Sequence, residues 1–360
     1  MRASQRAARA WRELLRAGLA LRRRAAADPP AGQPPEFWER IWREAAAAAA
    51  AEIEALGSGF FEIRRAGART RVCGARVALD DPVALRLAGD KPLAQRLLAR
   101  AGIPVPRAAA FSLHAQAPAL AFLREIGGAC VVKPARGTGG GAGVTLGVGS
   151  PRALRRAALH ASLFSRELAI EEQVAGEAYR LLYLDGELLD AVRRTPPVVI
   201  GDGRRSVRAL IAAENRRRRE RAGAGATGAI ALDPDCRAAL ARAGLSLGSV
   251  PPAGARVAVK GVSNAGSERE SESVRERIGK DLRAEAGRAA ECLGIRLAGV
   301  DVITRDPALS LHASGGCVAE VNTTPGLHWH YLVRDPEAGV RVAIPILERL
   351  LGARGGASGG

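Results

Sequence analysis

The sequence feature that most restricts the fold is a glycine-rich segment between two apolar, strand-like runs. Five of the seven residues from 137 to 143 are glycine. The flanking runs Cys130–Lys133 and Val144–Val148 predict β-strands, so the glycines lie in a loop that joins them. Because glycine has no Cβ, backbone N–H groups in such a loop can approach an anion closely. Lys133 leaves the first strand where its ammonium group can reach a phosphate.

The glycine-rich loop differs from the two common phosphate-binding motifs. No Gly-Lys-Ser/Thr sequence closes it, as one does in a P-loop. A strand rather than a helix follows it, which excludes a dinucleotide-binding fingerprint. An ordinary glycine-rich hairpin is the alternative, and the adjacent lysine favours phosphate binding over it.

The segments around this loop predict an α+β fold. Helix-like segments alternate irregularly with pairs of strands, unlike the regular alternation of a doubly wound parallel sheet. The pair Tyr179–Leu184 and Glu187–Arg193 flanks an Asp-Gly turn and predicts a β-hairpin. Helices are predicted at residues 91–101, 116–126, 151–163, 205–220 and 274–293.

Smaller elements are predicted before the main fold. Residues 1–35 comprise an Arg-rich segment, predicted as a basic surface helix, and a Pro-rich linker. Residues 36–56 contain seven consecutive alanines and predict a helix closed by Gly57. The runs Phe60–Ile63 and Thr70–Cys73 flank an Ala-Gly turn and predict a hairpin.

The strongly basic composition admits two interpretations. The formal net charge of +17 is typical of proteins with an anionic partner. However, the arginines are scattered and are not interleaved with aromatic residues, which favours a compositional bias over nucleic-acid binding. Because arginine replaces lysine at most positions, we predict that a position with lysine requires a compact ammonium group. Only four of the 54 basic residues are lysines: Lys91, Lys133, Lys260 and Lys280.

Cysteine usage and hydropathy indicate the compartment. The five cysteines are widely spaced and form no Cys-x-x-Cys pair, which argues against a disulfide framework or a zinc site and predicts a cytoplasmic protein. No uncharged apolar run reaches about 18 residues, so no membrane-spanning helix is expected.

Polar oxygen ligands interrupt two apolar strands near the C-terminus. Asp301 lies within Gly299–Ile303, while Glu320 and Asn322 lie two residues apart and therefore on one face of a later strand. A buried carboxylate requires a compensating cation. Hard oxygen ligands suit Mg²⁺ that is shared with substrate phosphates, and salt bridges to arginines are the alternative.

Two further segments carry weaker signals. An apolar strand ends at Glu171 and continues into a polar linker to Val174, whose edge backbone groups suit hydrogen bonding to a purine. The segment His328-Trp329-His330 either shapes a substrate site or caps the domain, and the sequence leaves these alternatives open.

Taken in order, these segments resemble the ATP-grasp ligases. The resemblance covers about residues 85–350 and includes Lys91 after Gly-Asp, the Lys133 strand and loop, and Glu320-x-Asn322-x-x-Pro325-Gly326. The segments Arg194-Thr195-Pro196 and Gly201-Asp202-Gly203 are similar to the ATP-grasp portions of cyanophycin synthetases and bifunctional glutathione synthetases.

The resemblance implies an ATP-grasp fold, in which two α+β subdomains hold ATP between them. A short helix and hairpin module at residues 36–84 would precede the catalytic domain at 85–350. Within that domain, a nucleotide-binding lobe would span about 91–173 and a metal and substrate lobe about 174–350. Residues 351–360 would form a flexible tail.

The resemblance also implies roles for individual residues. The implied ATP-binding residues, which include a mobile lid over the phosphates and a linker that holds adenine, are Lys91, Lys133, Gly137, Thr138, Gly139, Gly140, Gly141, Gly143, Glu171, Glu172, Gln173 and Val174. The implied ligands of two Mg²⁺ ions, or of Mn²⁺ in their place, are Asp301, Glu320 and Asn322. The implied catalytic residues, near an acyl phosphate and a substrate carboxylate, are Arg180, Arg194 and Lys91.

The implied activity is ATP-dependent ligation of a carboxylate to an amine through an acyl phosphate, with release of ADP and phosphate. The substrates would be amino acids or peptides, and a homo-oligomer is left open. Two alternatives remain: an ATP-grasp phosphotransferase that forms no amide, and a basic nucleic-acid-binding protein.

The sequence departs from the family pattern in three places, and the first is the stretch from Ala265 to Glu270, which differs from the family's Gly-Gly-containing loop at the second-substrate site. The family's Gly-x-Glu-x-Arg motif has Ala178 in place of its glutamate, and Glu177 lies one residue earlier, which predicts that Glu177 faces the opposite side of the strand. Cyanophycin synthetases continue beyond the ATP-grasp portion into a Mur-ligase-like domain. We therefore expect that this chain does not make their two-residue polymer by itself.

Overall fold

The structure is a computed structural model, and it describes residues 33–136, 141–222, 229–262 and 268–352. Three sets of predictions lie outside these residues. They are the basic N-terminal helix, the tail beyond residue 352, and the loop positions Gly137, Thr138, Gly139 and Gly140.

One helix packed on a four-stranded antiparallel sheet forms the N-terminal module. Helix α1 (Pro35–Ala48) buries an aromatic and aliphatic face, and the indole N–H of Trp42 donates to the carbonyl of Gly74 at 2.9 Å. The sheet has the order β1-β2-β3-β4, with the bounds Glu52–Gly57, Phe60–Arg65, Ala68–Cys73 and Arg76–Val77. The predicted hairpin is confirmed, because β2 and β3 pair around Ala66-Gly67.

The predicted helix over residues 36–56 is wrong in its second half. Helix α1 ends at Ala48, Ala50 adopts a left-handed conformation with φ of 49°, and Glu52–Gly57 form β1. Alanine favours a helix by itself. The alternation Glu52-Ile53-Glu54 suits a strand, however, and Ile53 lies opposite Ile63 on β2. Pairing of residues 52–57 with β2 therefore stops the helix at the alanine run instead of letting it continue to residue 56.

The small sheet lies in the middle of the chain and has the strand order β5-β8-β6-β7, with every pair antiparallel. Helices α4 (Ala117–Ile126) and α5 (Pro151–Ala161) bury their apolar faces against it. The bounds of its strands are Ala108–Ser112 for β5, Cys130–Pro134 for β6, Thr145–Val148 for β7 and Glu167–Glu172 for β8.

The large sheet has the strand order β13-β10-β9-β14-β15 and is also antiparallel. Helices α2 (Pro82–Gly89), α3 (Lys91–Arg100) and α8 (Lys280–Cys292) share one apolar core with it. The bounds of its strands are Glu177–Leu184 for β9, Glu187–Arg194 for β10, Ser271–Ser273 for β13, Leu297–Thr304 for β14 and Cys317–Asn322 for β15.

A separate apolar core lies in the segment between β10 and β13, which we call the insertion (residues 198–262). It combines the two-stranded sheet β11 (Val198–Ile200) and β12 (Arg256–Ala258) with helices α6 (Val207–Ala222) and α7 (Pro234–Arg242). After the insertion, the predicted helix 274–293 begins later than expected. Residues Arg275–Arg277 form a single 3₁₀ turn, and the extended Gly279 (ψ 155°) precedes α8, so the regular helix starts at Lys280.

The C-terminal segment packs against both the N-terminal module and the large sheet. It contains the short helices α9 (Leu311–Ser314) and α10 (His328–Tyr331), followed by α11 (Ala343–Gly352). Helix α11 packs against α1 and the N-terminal sheet, in a core that also includes Leu182 and Leu184 of β9. Among the described helices, none is long and apolar enough to cross a membrane.

Candidate active site

A row of charged side chains crosses the large sheet from strand to strand. Asp301 on β14 lies opposite Glu320 on β15 and, on its other side, opposite Arg180 on β9. Residues directly opposite each other in antiparallel strands share one face of the sheet. The antiparallel register therefore brings together side chains that lie 121 and 19 residues apart in the chain.

Arg180 binds Asp301 with both arms of its guanidinium. Its Nη2 lies 2.8 Å from Asp301 Oδ2, and its Nε donates to Asp301 Oδ1. Burial by itself raises the pKa of Asp301, but the guanidinium of Arg180 outweighs this effect, and the net shift is downward. Asp301 is therefore ionised throughout the physiological pH range.

Arg194 lies beside this pair, and its charged form is less stabilised than that of Arg180. Its Nη1 is 3.9 Å from Asp301 Oδ1, and its guanidinium stacks 4.3 Å from the ring centroid of Trp329. Burial, reinforced by the neighbouring positive charge of Arg180, lowers the pKa of Arg194 to about 10. A buried cation with a lowered pKa is stabilised by any additional anion that binds beside it.

The predicted metal ligands converge at this place. Asn322 Nδ2 lies 3.2 Å from Asp301 Oδ2, and Glu320 lies opposite Asp301 across the strand pair. Two carboxylates and one amide fit Mg²⁺ of the kind that shares its coordination with substrate phosphates. Within the described ranges, no cluster of three or more His, Cys, Asp or Glu side chains offers a metal cage made by the protein alone.

Lys91 connects helix α3 to the acidic strands. It is the first residue of α3, directly after the N-cap Asp90, and its Nζ lies 3.2 Å from Glu320 Oε1. Because α3 packs in the same core as the large sheet, the start of this helix is held beside the carboxylate.

Lys133 and the end of β8 form the opposite wall. Lys133 Nζ lies 2.7 Å from Glu171 Oε1, and Gln95 donates to the same oxygen at 2.9 Å. The backbone N–H groups of Glu172 and Gln173 donate to the carbonyls of Arg107 and Ala129, respectively. The side chain of Gln173 accepts from Gly147 N–H at 2.7 Å.

The glycine-rich loop is described only from Gly141 onward. Gly141 and Gly143 both have positive φ angles, of 70° and 79°. A Cβ on Gly143 would lie 2.8 Å from both Phe164 and Pro134, so this position excludes larger residues for steric as well as conformational reasons.

A cleft of about 810 Å³ separates the two walls. The small sheet contributes Lys133, Leu146 and the residues from Glu171 to Val174, and the large sheet contributes the charged row. The structure thus brings every described predicted site residue except Gly143 to the lining of one cavity.

No family model matches the chain, but individual proteins are similar to it. The chain is 31% identical over 249 residues to a cyanophycin synthetase from Nostoc sp. (strain PCC 7120), which matches 68% of this chain and 27% of that protein. It is 27% identical over 284 residues to the glutathione biosynthesis bifunctional protein GshAB from Desulfotalea psychrophila, across 78% of this chain and 36% of that protein. The chain thus spans about a third or less of the length of these relatives.

The structural comparison decides the fold. A bifunctional glutathione synthetase from Pasteurella multocida superimposes with a TM-score of 0.54 at 22% identity, covering 84% of this chain and 41% of that one. This chain has the ATP-grasp fold. The predicted fold class and the predicted resemblance to both groups of proteins are therefore confirmed. The domain limits and the roles of the individual site residues remain predictions.

The ATP-grasp cleft also has an aromatic wall, whose role the sequence left open. His328 and Trp329 line the cleft, and their rings lie 4.7 Å apart. Burial and the charges of Arg180 and Arg194 lower the pKa of His328 to about 3, so its imidazole is neutral. His330 instead lies fully buried, with Nδ1 2.7 Å from Asp190 Oδ2. Two of the three residues thus face the cleft, and the third anchors α10 to β10.

Glu177 lies on the opposite face of β9 from Arg180, as its one-residue offset predicts. Its carboxylate accepts a hydrogen bond from Tyr179 at 3.0 Å and another from Arg193 at 2.9 Å. These partners belong to the side of the sheet that Arg180 and Arg194 do not occupy. Glu177 is therefore paired away from the charged row, although it also lines the cleft.

Proposed function

We propose that this chain is an ATP-dependent ligase that joins the carboxylate of an amino acid or peptide to an amine. The substrate carboxylate attacks the γ-phosphate of ATP and forms an acyl phosphate with release of ADP. The amine then attacks the acyl carbon, which yields the amide and phosphate. The chain is similar to cyanophycin synthetases and to glutathione biosynthesis enzymes. This similarity supports an amide or peptide bond as the product here.

The observation that supports this proposal best is the distribution of charge in the cleft. Lys133 projects from the small sheet, Arg180 and Arg194 project from the large sheet, and Asp301 and Glu320 lie beside the arginines. Phosphoryl transfer is catalysed mainly by positioning and by electrostatic stabilisation of the transferred group, which such a set of cations supplies.

The small sheet would hold the nucleotide. Glu171 fixes the ammonium group of Lys133 at 2.7 Å, in a position to bind a phosphate. The N–H groups of Glu172 and Gln173 already have carbonyl partners, so we assign the adenine contacts to Val174 N–H and to backbone carbonyls of the linker. Gly141 and Gly143 would belong to the lid over the phosphates, together with the loop positions 137–140.

The large sheet would hold the metal and the acyl group. Asp301, Glu320 and Asn322 would ligate two Mg²⁺ ions, or Mn²⁺, which would neutralise the charge of the transferred phosphate. Arg180 would bind the acyl phosphate, and Arg194, supported by the Trp329 ring, would bind the substrate carboxylate. We further propose that the lobes divide near residue 174 and that the protein acts in the cytoplasm.

The proposal is tested by a screen for ADP release over pairs of amino acids and dipeptides, with the mass of each product measured. The proposal expects at least one pair for which ADP release requires both partners and equals the amount of amide formed. ADP release that never depends on an amine would indicate a phosphotransferase instead. Co-purifying nucleic acid with a steep salt dependence of binding, and no ADP release, would support the nucleic-acid-binding alternative.

A further inference from the structure

Each carboxylate of the predicted metal set is held by a basic side chain. Arg180 binds both oxygens of Asp301, and Lys91 lies 3.2 Å from Glu320. Both cations are largely buried: 8% of the Arg180 side chain and 20% of the Lys91 side chain are exposed. The Arg180–Asp301 pair is therefore weakly screened by solvent, whereas the Lys91–Glu320 pair is more exposed and is held less strongly.

These contacts use the same oxygen atoms that a metal would need. An ionised carboxylate offers about four lone-pair positions. On Asp301, Arg180 takes two of them, and Asn322 Nδ2 lies 3.2 Å from Oδ2. A divalent cation would also be repelled by the charges of Arg180, Arg194 and Lys91, all of which line the same cleft.

A phosphate-bearing ligand removes both obstacles together. A nucleoside triphosphate gives the guanidinium and the ammonium groups new anionic partners, which frees the carboxylate oxygens. It also adds negative charge next to the metal position. This inference rests on the proposed function, because it takes ATP and a divalent ion as the ligands of the cleft.

We propose that Arg180 and Lys91 are exchangeable counter-ions of the metal site. They hold Asp301 and Glu320 in place when the phosphates do not engage them, and they transfer to the phosphates as the metal binds the carboxylates. Divalent ions and nucleotide then bind with strong positive coupling. The geometry gives Lys91 a second role beyond phosphate binding: it weakens metal binding when no nucleotide is present.

Titration of Mn²⁺ into the full chain without nucleotide tests this proposal, with free Mn²⁺ measured by electron paramagnetic resonance. The variant Lys91→Met keeps the side-chain length and removes the charge. It is expected to bind Mn²⁺ about tenfold more tightly than the unaltered chain, while its affinity for a non-hydrolysable ATP analogue falls. Arg180→Gln is expected to act in the same direction, and its circular dichroism spectrum shows whether it folds.

Lys280→Met is the matched control, because it removes one lysine charge from an exposed position at the start of α8. Its Mn²⁺ affinity is expected to stay within about twofold of the unaltered chain. Unchanged or weaker Mn²⁺ binding by Lys91→Met, in a chain that still binds Mn²⁺ together with nucleotide, overturns the exchange and leaves the ligase proposal intact. Failure of every protein to bind Mn²⁺, with or without nucleotide, overturns both.

Discussion

The cleft and the insertion each contain a lysine held by carboxylates, and the two centres differ in what the carboxylates already do. In the insertion, Lys260 Nζ lies 2.6 Å from Asp233 and 3.3 Å from Asp235. Asp233 caps helix α7, and Asp235 accepts from the N–H of Gly261. In the cleft, Lys91 and Lys133 each hold a carboxylate at the lining of a large cavity.

This difference shows how far a lysine–carboxylate pair indicates a binding site. The distances in the two centres are similar, so pairing alone does not separate a structural contact from a functional one. Asp233 and Asp235 accept hydrogen bonds from the backbone N–H groups of Cys236 and Gly261, respectively. Glu320, the partner of Lys91, instead lies opposite Asp301 in the charged row of the cleft. A variant in the cleft should therefore lower activity more than stability, and the matched variant in the insertion should lower stability more than activity.

The largest expected effect comes from Glu320→Gln in the cleft. This change keeps the shape of the side chain but removes the charge that would bridge two Mg²⁺ ions, so turnover should fall by about a hundredfold or more. The melting temperature should change little, because Glu320 is partly exposed. ADP release and thermal unfolding are measured side by side. Near-normal turnover in this variant would remove the metal site from the account.

The matched change in the insertion is Asp235→Asn, and it should do the reverse. Asp235 is 2% exposed and pairs with Lys260, so its loss leaves a buried ammonium group with only Asp233. Breaking a buried pair so that one charge has no partner typically costs about 3–5 kcal/mol, and the cost here is smaller because Asp233 still pairs with Lys260. We expect a clear drop in melting temperature, with ADP release per folded molecule nearly retained. A selective loss of turnover would contradict the structural role of this centre.

Lys133→Ala tests the nucleotide side of the cleft. Loss of a charge-assisted hydrogen bond to a phosphate should weaken ATP binding by about 1.5–3 kcal/mol, as measured by calorimetry. The comparison variant is Lys260→Met, which should bind ATP with unchanged affinity but unfold at a lower temperature. Equal ATP affinities for Lys133→Ala and the unaltered chain would exclude this lysine from the nucleotide site.

The neutral His328 predicts a pH dependence of stability. Burial holds its folded-state pKa at about 3, against an ordinary histidine pKa of 6.5. Below pH 6.5 the unfolded chain therefore binds more protons than the folded chain, and stability is lost as the pH falls toward 3. At pH 5 the loss is on the order of 2 kcal/mol.

Denaturant unfolding at pH 7 and pH 5 checks this value. His328→Gln should remove this part of the pH dependence, whereas the exposed His114→Gln should keep it. An unaltered pH dependence in His328→Gln would show that this imidazole is not the group responsible.

The smallest expected effect belongs to Trp329→Leu. The ring lies 4.3 Å from the guanidinium of Arg194, and a partly desolvated cation–π contact contributes about 0.5–2 kcal/mol. We expect a KM for the carboxylate substrate that is raised by up to about tenfold, with a smaller change in kcat. A KM that does not move would mean that Trp329 does not support substrate binding through Arg194.

The sequence predicted the metal side of the cleft in more detail than the nucleotide side. The spacing of Glu320 and Asn322 within an apolar strand has one simple explanation, because alternate residues share a face. The sequence left a salt bridge to an arginine open for these carboxylates, but it could not show that Arg180 is the partner of Asp301, because this depends on which strands become neighbours in the sheet. Gln95 as a partner of Glu171 was also missed, because a glutamine on an amphipathic helix carries no distinctive signal.

Errors in the predicted fold have a similar origin. The alanine run suggested a helix to residue 56, but residues 52–57 form a strand in which Ile53 pairs with Ile63. The start of α8 was misplaced because residues 274–279 are compatible with a helix by composition, whereas the extended Gly279 interrupts it. In both cases a contact or conformation set by the tertiary structure overrides local preference.

The transfer of oxygen from the substrate carboxylate to phosphate tests the central claim most directly. The substrate pair identified by the ADP-release screen is used with oxygen-18 in the carboxylate, and the released phosphate is analysed by mass spectrometry. Attack of the carboxylate on the γ-phosphate predicts that each phosphate released carries one oxygen atom from the substrate. Phosphate with only unlabelled oxygen, formed together with the amide, would contradict an acyl phosphate in this cleft.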